Sequence, residues 1–146
     1  MDDAAGSGAT SKRVLEELDR QECLRLIAPG GIGLVAFDDG EGPALIPVNY
    51  VLDGESVVFH TSLGGRLNRS LTAMPHGTGL RIAFGVVRID EAAREGWSVM
   101  LRGGAHRMSE EESAAAPQVE SWPEGEREAH FRLTPTSISG RRVRRP

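Results

Sequence analysis

The sequence predicts a small antiparallel β-barrel carrying a few short helices. Three observations predict it. Short apolar-alternating stretches recur along the chain, each bounded by a cluster of glycine, proline or aspartate. Asp53-Gly54 joins two of them directly, a strong hairpin signal because a type I′ turn needs positive φ. No strand–helix–strand alternation and no internal repeat occurs, so a doubly wound parallel sheet is not expected.

Each element follows from its residues. Residues 1–13 (MDDAAGSGATSKR) are small and polar, offer nothing to bury and are expected to be a disordered tail, which leaves 14–143 as a single domain. Asp19 as N-cap with Glu22 three residues on is a capping box, which satisfies orphan amides at a helix start. Leu18, Cys23, Leu24 and Ile27 mark the apolar side of that helix, and Pro29-Gly30-Gly31 ends it. Ile32 to Phe37 is the first strand, closed by the turn cluster Asp38-Asp39-Gly40-Glu41-Gly42-Pro43. Ala44 to Leu52 and Ser56 to Thr61 then form the hairpin through Asp53-Gly54, completing a three-stranded meander. Arg66 to Leu71 reads as a short helix, broken by Met74-Pro75-His76-Gly77. Leu80 to Ile89 alternates (Leu80, Ile82, Phe84, Val86 against Arg81, Ala83, Gly85, Val87), and so does Trp97 to Met108. Residues 90–96 between them have room for little more than a helical turn. Ser109 to Ala116 reads as a helix start with acids near its positive end. Pro117 to Glu126 reads as a long loop. His130 to Val143 is the last strand, and Pro135 within it predicts an edge or bent strand.

Composition narrows the function classes. A chain of 146 residues is about one domain long and can bury a core without staples. Its 18 glycines agree with many turns. A net charge of −4 counts against nucleic acid as a partner, which would need a basic face. The one dense cationic run, Arg141-Arg142-Val143-Arg144-Arg145, reads as a solvated terminus. The single cysteine, Cys23, rules out an internal disulfide and a thiolate metal cluster, and at an apolar helical position it reads as a packed small hydrophobe. No stretch approaches the roughly 20 apolar residues that cross a bilayer, and Met1-Asp2-Asp3 lacks the character of a signal peptide. No membrane association is expected, and a cytoplasmic location is.

Self-sufficient catalytic motifs are missing. His60, His76, His106 and His130 show no metal-ligand spacing. Gly-x-Ser-x-Gly and a Walker A ending are absent, and Gly30-Gly31-Ile32-Gly33 precedes a strand where a dinucleotide fingerprint would follow one. Three stretches carry binding chemistry instead. In His60-Thr61-Ser62-Leu63-Gly64-Gly65-Arg66-Leu67 a strand runs into two hydroxyls, a glycine pair, a cation and a helix start, groups that can converge on a phosphate. Arg69, on the same helical face as Arg66, can add a second cation. On these residues alone, a glycine loop whose hydroxyls cap a helix is the stronger of the two readings. In Ile46-Pro47-Val48-Asn49-Tyr50-Val51 a proline inside a strand implies an edge or bulge, with Asn49 and Tyr50 adding polar recognition and an aromatic surface. Trp97-Ser98 opens a strand with a ring that can cover a flat ligand or pack in a core or interface.

These stretches, with Glu22-Cys23-Leu24, Gly33-Leu34-Val35-Ala36-Phe37 and Arg132-Leu133-Thr134-Pro135-Thr136-Ser137-Ile138, occur in an order that resembles the pyridoxamine 5′-phosphate oxidase-like flavoproteins of actinobacteria. The resemblance spans residues 15 to 143. It implies a six- to seven-stranded antiparallel split β-barrel that forms a homodimer and binds FMN in clefts between subunits. It puts the phosphate on the segment from Thr61 to Arg66, with Ser62 and Gly65, the isoalloxazine ring against Pro47, Val48, Asn49 and Tyr50, and Trp97 and Ser98 beside the cofactor from one or the other subunit, and it counts His60 and Leu67 among the cofactor-binding residues. The implied activity is an oxidoreductase passing hydride or electrons through the flavin to an unidentified small molecule, with no obligatory catalytic side chain and no metal. Three departures stand out: Phe84-Gly85-Val86-Val87-Arg88 lacks an expected acid, Arg66 stands where lysine is frequent, and the arginine- and histidine-bearing C-terminus of true pyridoxamine phosphate oxidases is missing. The last counts against vitamin B6 oxidation. Alternative readings are a flavin- or haem-binding carrier or sensor without turnover, a deazaflavin-dependent reductase, which the acidic net charge disfavours, and a cofactor-free interaction barrel.

Overall fold

The computed structural model describes residues 12–62, 65–72, 79–120 and 128–146. In chain order these form β1 (Val14–Leu18), α1 (Arg20–Ile27), β2 (Gly31–Asp38), β3 (Pro43–Asp53), β4 (Ser56–Ser62), α2 (Arg66–Thr72), β5 (Leu80–Asp90), β6 (Glu95–Arg107), α3 (Glu110–Ala115) and β7 (Glu128–Arg144). The expected disordered tail falls almost wholly on residues outside those described.

All seven strands join one antiparallel sheet in the order β1-β7-β4-β3-β2-β5-β6. A further pairing of β6 with β7 closes it into a barrel, with β1 laid outside the ring. The predicted fold class is therefore the observed one. Closure rests on the length of β7, whose 17 residues serve two neighbours on one side. Residues 128–133 pair with β4 and residues 140–144 with β1. Between them, among the described residues, no strand pairs on that side, and Pro135 sits there, at the local edge its missing N–H requires. On the other side Pro135 faces Gly103, next to a register shift between Arg102 and Gly103.

Two local expectations are corrected. The β3–β4 turn has Gly54 and Glu55 as its central residues, flanked by the pair Asp53 and Ser56. Of the central two only Gly54 has positive φ, at +63°, the type II′ pattern in place of type I′. The second correction is β1, which the sequence reading left out. Val14-Leu15-Glu16-Glu17-Leu18 has no period-2 alternation, so tertiary pairing creates the strand. Glu16 lies opposite Arg142 in register and also takes the Arg144 Nε at 2.9 Å.

The core follows from alternation. On β5, Ile82, Phe84 and Val86 point inward and are buried. Phe84 meets Tyr50 edge-on with centroids 5.1 Å apart and stacks on Phe59 at 6.1 Å, which stacks on Phe131 at 5.5 Å. One aromatic column thus ties β3, β4, β5 and β7. The Asp19 half of the expected capping box forms, with Asp19 Oδ1 accepting the Glu22 amide at 2.8 Å, while the Glu22 carboxylate takes Arg25 and Arg142. No helix among the described residues is long and apolar enough to cross a membrane.

Candidate functional site

Two of the three stretches singled out in the sequence lie side by side. Asn49 on β3 is the direct partner of His60 on β4, with Ile32 of β2 on its other side. This is the last pair of the β3–β4 ladder: Val48 and Pro47 precede it on β3, while β4 continues through Thr61 and Ser62, paired with Ala129 and Glu128 of β7, into α2. Pro47 is exposed, Val48 and Asn49 are buried, Thr61 is half-buried and Ser62 is exposed. Gly65 turns the chain into α2: its amide donates to Ser62 O at 3.0 Å and its carbonyl accepts the Arg69 amide at 3.1 Å. A Cβ on Gly65 would come within 3.2 Å of Ser62 O and 3.7 Å of Thr61 Oγ1. A glycine is what lets the helix start so close to the hydroxyls. Leu67 is fully buried and fixes α2 to the barrel. Leu63 and Gly64 lie outside the described residues.

Arg66 projects from this junction with its side chain 60% exposed. Its Nη1 donates to Asp39 Oδ2 at 2.9 Å, while the Asp39 side chain is only 7% exposed. Asp39 Oδ1 accepts the Glu41 amide at 2.9 Å. That bond, with the charge of Arg66, holds the Asp39 carboxyl below its ordinary range against the opposing effect of burial. A cleft of about 230 Å³ lies between the β2–β3 turn and α2, lined by Asp39, Glu41, Arg66, Arg69 and Ser70. Arg69 shares this cleft with Arg66, as the helical spacing predicts.

Two side chains expected to face a ligand are engaged elsewhere. The Tyr50 ring is 2% exposed, and its hydroxyl donates to Ile27 O at 2.8 Å, closing the C-terminal end of α1. The expected aromatic surface is core packing, because the inward face of β3 takes the ring. His60 is 5% exposed. Its Nε2 lies 2.6 Å from Glu120 O and its Nδ1 3.1 Å from Glu128 Oε1, so both ring nitrogens face oxygens of the β6–β7 connection and β7. His60 acts here as a brace.

The third stretch stands apart. Trp97 and Ser98 lie on β6, and in the sheet β2 and β5 separate β6 from β3, three inter-strand steps of roughly 4.8 Å each. Trp97 is half-buried against the core, and Ser98 together with Arg141 lines two clefts on the outer face, of about 270 and 490 Å³. Within one chain, Trp97 and Ser98 are not brought to Arg66.

The model of the pyridoxamine 5′-phosphate oxidase family matches residues 19–142. The chain belongs to that family. An uncharacterized protein of Mycobacterium tuberculosis is 29% identical over 135 residues, covering 91% of this chain and 88% of its own. Among solved structures, an FAD-binding protein of Mycobacterium smegmatis has a TM-score of 0.67 at 24% identity, covering 90% of this chain and 100% of its own. An FAD-binding protein of Mesorhizobium loti has the same TM-score at 17% identity, covering 90% of this chain and 98% of its own. At these identities the two likenesses show a shared fold and nothing further. Asp39 and Glu41 are the site residues that sequence reasoning missed. Asp38 to Pro43 was legible as a turn, but nothing local shows that the turn reaches an arginine 27 positions on.

Proposed function

We propose that this protein binds a flavin, in the first instance FMN, and works as an oxidoreductase on a small molecule. The observation that carries the reading is the register of Asn49 with His60, the last pair of the β3–β4 ladder, from which Val48 and Pro47 lead away on one strand and Thr61, Ser62, Gly65 and Arg66 on the other. A flat ring against the β3 backbone and a phosphate at the β4–α2 junction is an arrangement these donors fit: two hydroxyls, a close-approach glycine and a guanidinium. The described FAD-binding structures of the same fold support a flavin and leave the choice of FMN to Arg66 and its small cleft. A bound flavin supplies hydride and electron transfer, and the protein's share is to hold and orient it. Thr61 and Ser62 give hydroxyl donors, Arg66 gives charge and a planar fork, and the β3 backbone gives a surface for the ring.

The same reading includes a homodimer. Pro47, Leu34, Gly85 and Met100 are successive cross-strand partners on β3, β2, β5 and β6, so they share the outer face. Leu34 and Met100 are 37% and 36% exposed there, and Leu45 and Val87, two residues along from Pro47 and Gly85, are 64% and 46% exposed. Pro47 and Met100 stand at the two ends of this row, and Ser98 lies two residues before Met100 on the same face, opposite Val87. Two copies packed face to face about a two-fold axis would bring Ser98 of one beside Pro47 of the other, completing the cleft that a single chain leaves divided.

The test is an absorption spectrum of the purified protein and of protein reconstituted with FMN or FAD. Flavin bands that follow the protein and are released on heating are the expected result. A colourless protein that takes up neither flavin overturns the reading.

A further inference from the structure

We propose that Asp39 is a built-in counter-ion for Arg66, which a ligand phosphate must displace or share, so that the β2–β3 turn sets how tightly the site holds a phosphate. The inference rests on the flavin reading above and adds to it a residue from a different element. The guanidinium that projects from the β4–α2 junction is already engaged at 2.9 Å by a carboxylate that is nearly buried, and both carboxylate oxygens are used, one by Arg66 and one by the Glu41 amide.

The turn that carries Asp39 is held by its own hydrogen bonds, Asp38 Oδ1 accepting the Gly40 amide at 2.8 Å and Gly42 O the Asp39 amide at 3.3 Å. Gly40 and Gly42 hold φ of +95° and +130°, and a Cβ on either would meet nothing within 4 Å. The tip therefore stands clear of the barrel, anchored at its base by the pair Asp38 and Pro43. The cleft it shares with α2, about 230 Å³, is below the roughly 300 Å³ at which pockets take a whole small molecule. A terminal phosphate fits a space of this size. A phosphomonoester entering there carries nearly two negative charges and three acceptor oxygens, and it meets the carboxylates of Asp39 and Glu41 along with Arg66 and Arg69. Arg66 has five N–H donors, so it can turn some of them to the phosphate while Asp39 keeps one, at the cost of like-charge repulsion across the fork.

The test separates the phosphate from the ring. Dissociation constants for FMN and for riboflavin are measured by quenching of flavin fluorescence in the wild type, Asp39→Asn, Arg66→Ala and the double variant. Asp39→Asn keeps the oxygen that accepts the Glu41 N–H and removes the charge. It is expected to tighten FMN about two- to fivefold, the range for an ion pair with one partner in solvent, to leave riboflavin unchanged and to have a smaller effect in the Arg66→Ala background. Arg66→Ala alone weakens FMN and spares riboflavin. If Asp39→Asn leaves FMN affinity unchanged, weakens it, or moves both flavins alike, the counter-ion role is overturned while flavin binding stands. If the wild type binds neither flavin, the underlying reading fails and takes this inference with it.

Discussion

Gly33 is where one hydrogen decides how the core packs. A Cβ there would lie 2.3 Å from Phe84 Cζ, and that ring is held between Tyr50 and Phe59. Gly33→Ala is expected to cost about 1–3 kcal/mol, the range for overpacking a filled core. Gly104→Ala, where a Cβ meets nothing within 4 Å, should change stability by less than about 0.5 kcal/mol. Urea unfolding of the two variants checks the pair, and equal losses would mean that the aromatic column adjusts freely. His130 carries a second expectation at this scale. Burial, then the nearby His60 ring, pushes its pKa below the ordinary 6.5, with Glu128 opposing. The unfolded chain then binds the proton more readily, so the contribution is present above pH 6.5 and is lost as pH falls below it. His130→Gln should flatten the stability profile on that acid side, read by thermal melts at a series of pH values. The legible part of the site is also residue by residue. The hydroxyls, glycine and cation of 61–66 announce themselves by type. The engagement of Tyr50 by Ile27 and of His60 by Glu120 does not, because those partners lie 23 and 60 positions away.

Among the elements, α3 is held by charge. None of its residues is buried, and Ser109 caps it by accepting the Glu112 amide at 3.1 Å. Glu112 then ties the helix to the barrel, with Oε2 3.0 Å from His106 Nε2 and 3.1 Å from Arg132 Nε, while Arg132 Nη2 reaches Asp53 at 2.9 Å. Burial acts to raise the Glu112 pKa, and the His106 and Arg132 bonds together outweigh it and hold the carboxylate charged. A helix this short does not persist alone in water. Glu112→Gln is therefore expected to lower amide-exchange protection across 110–115 with barrel protection unchanged, at a global cost under about 1 kcal/mol. Added salt should loosen the wild-type helix in the same way. Protection of α3 that survives both would point to packing in place of the charge tether. The elements that local chemistry specifies were legible: the α1 cap, the β3–β4 hairpin and the alternating β5 and β6. β1 was not, because Val14 to Leu18 becomes a strand only when Glu16 meets Arg142 and Arg144.

At the scale of the whole molecule, barrel closure decides what one chain can and cannot do. The pairing of β6 with β7 fixes Trp97 and Ser98 on the far side of β2 and β5 from Pro47, and a closed ring has no free edge along which they could slide closer. A site that uses both stretches must therefore take them from two chains. The outer face between them offers Leu34, Leu45, Val87 and Met100 to a second copy, with Gly85 at its centre leaving the surface low where an acidic side chain was expected. Leu45→Glu tests this without touching the core, because Leu45 is 64% exposed and a surface substitution there should cost under about 0.5 kcal/mol of fold stability. The carboxylate would be buried without a partner in a face-to-face dimer, a penalty of several kcal/mol. The expected outcome is a folded monomer by light scattering with unchanged circular dichroism and without retained flavin. A monomer that binds flavin as tightly as the wild type would place the whole cleft within one chain. A dimer that persists would move the interface to another face of the barrel.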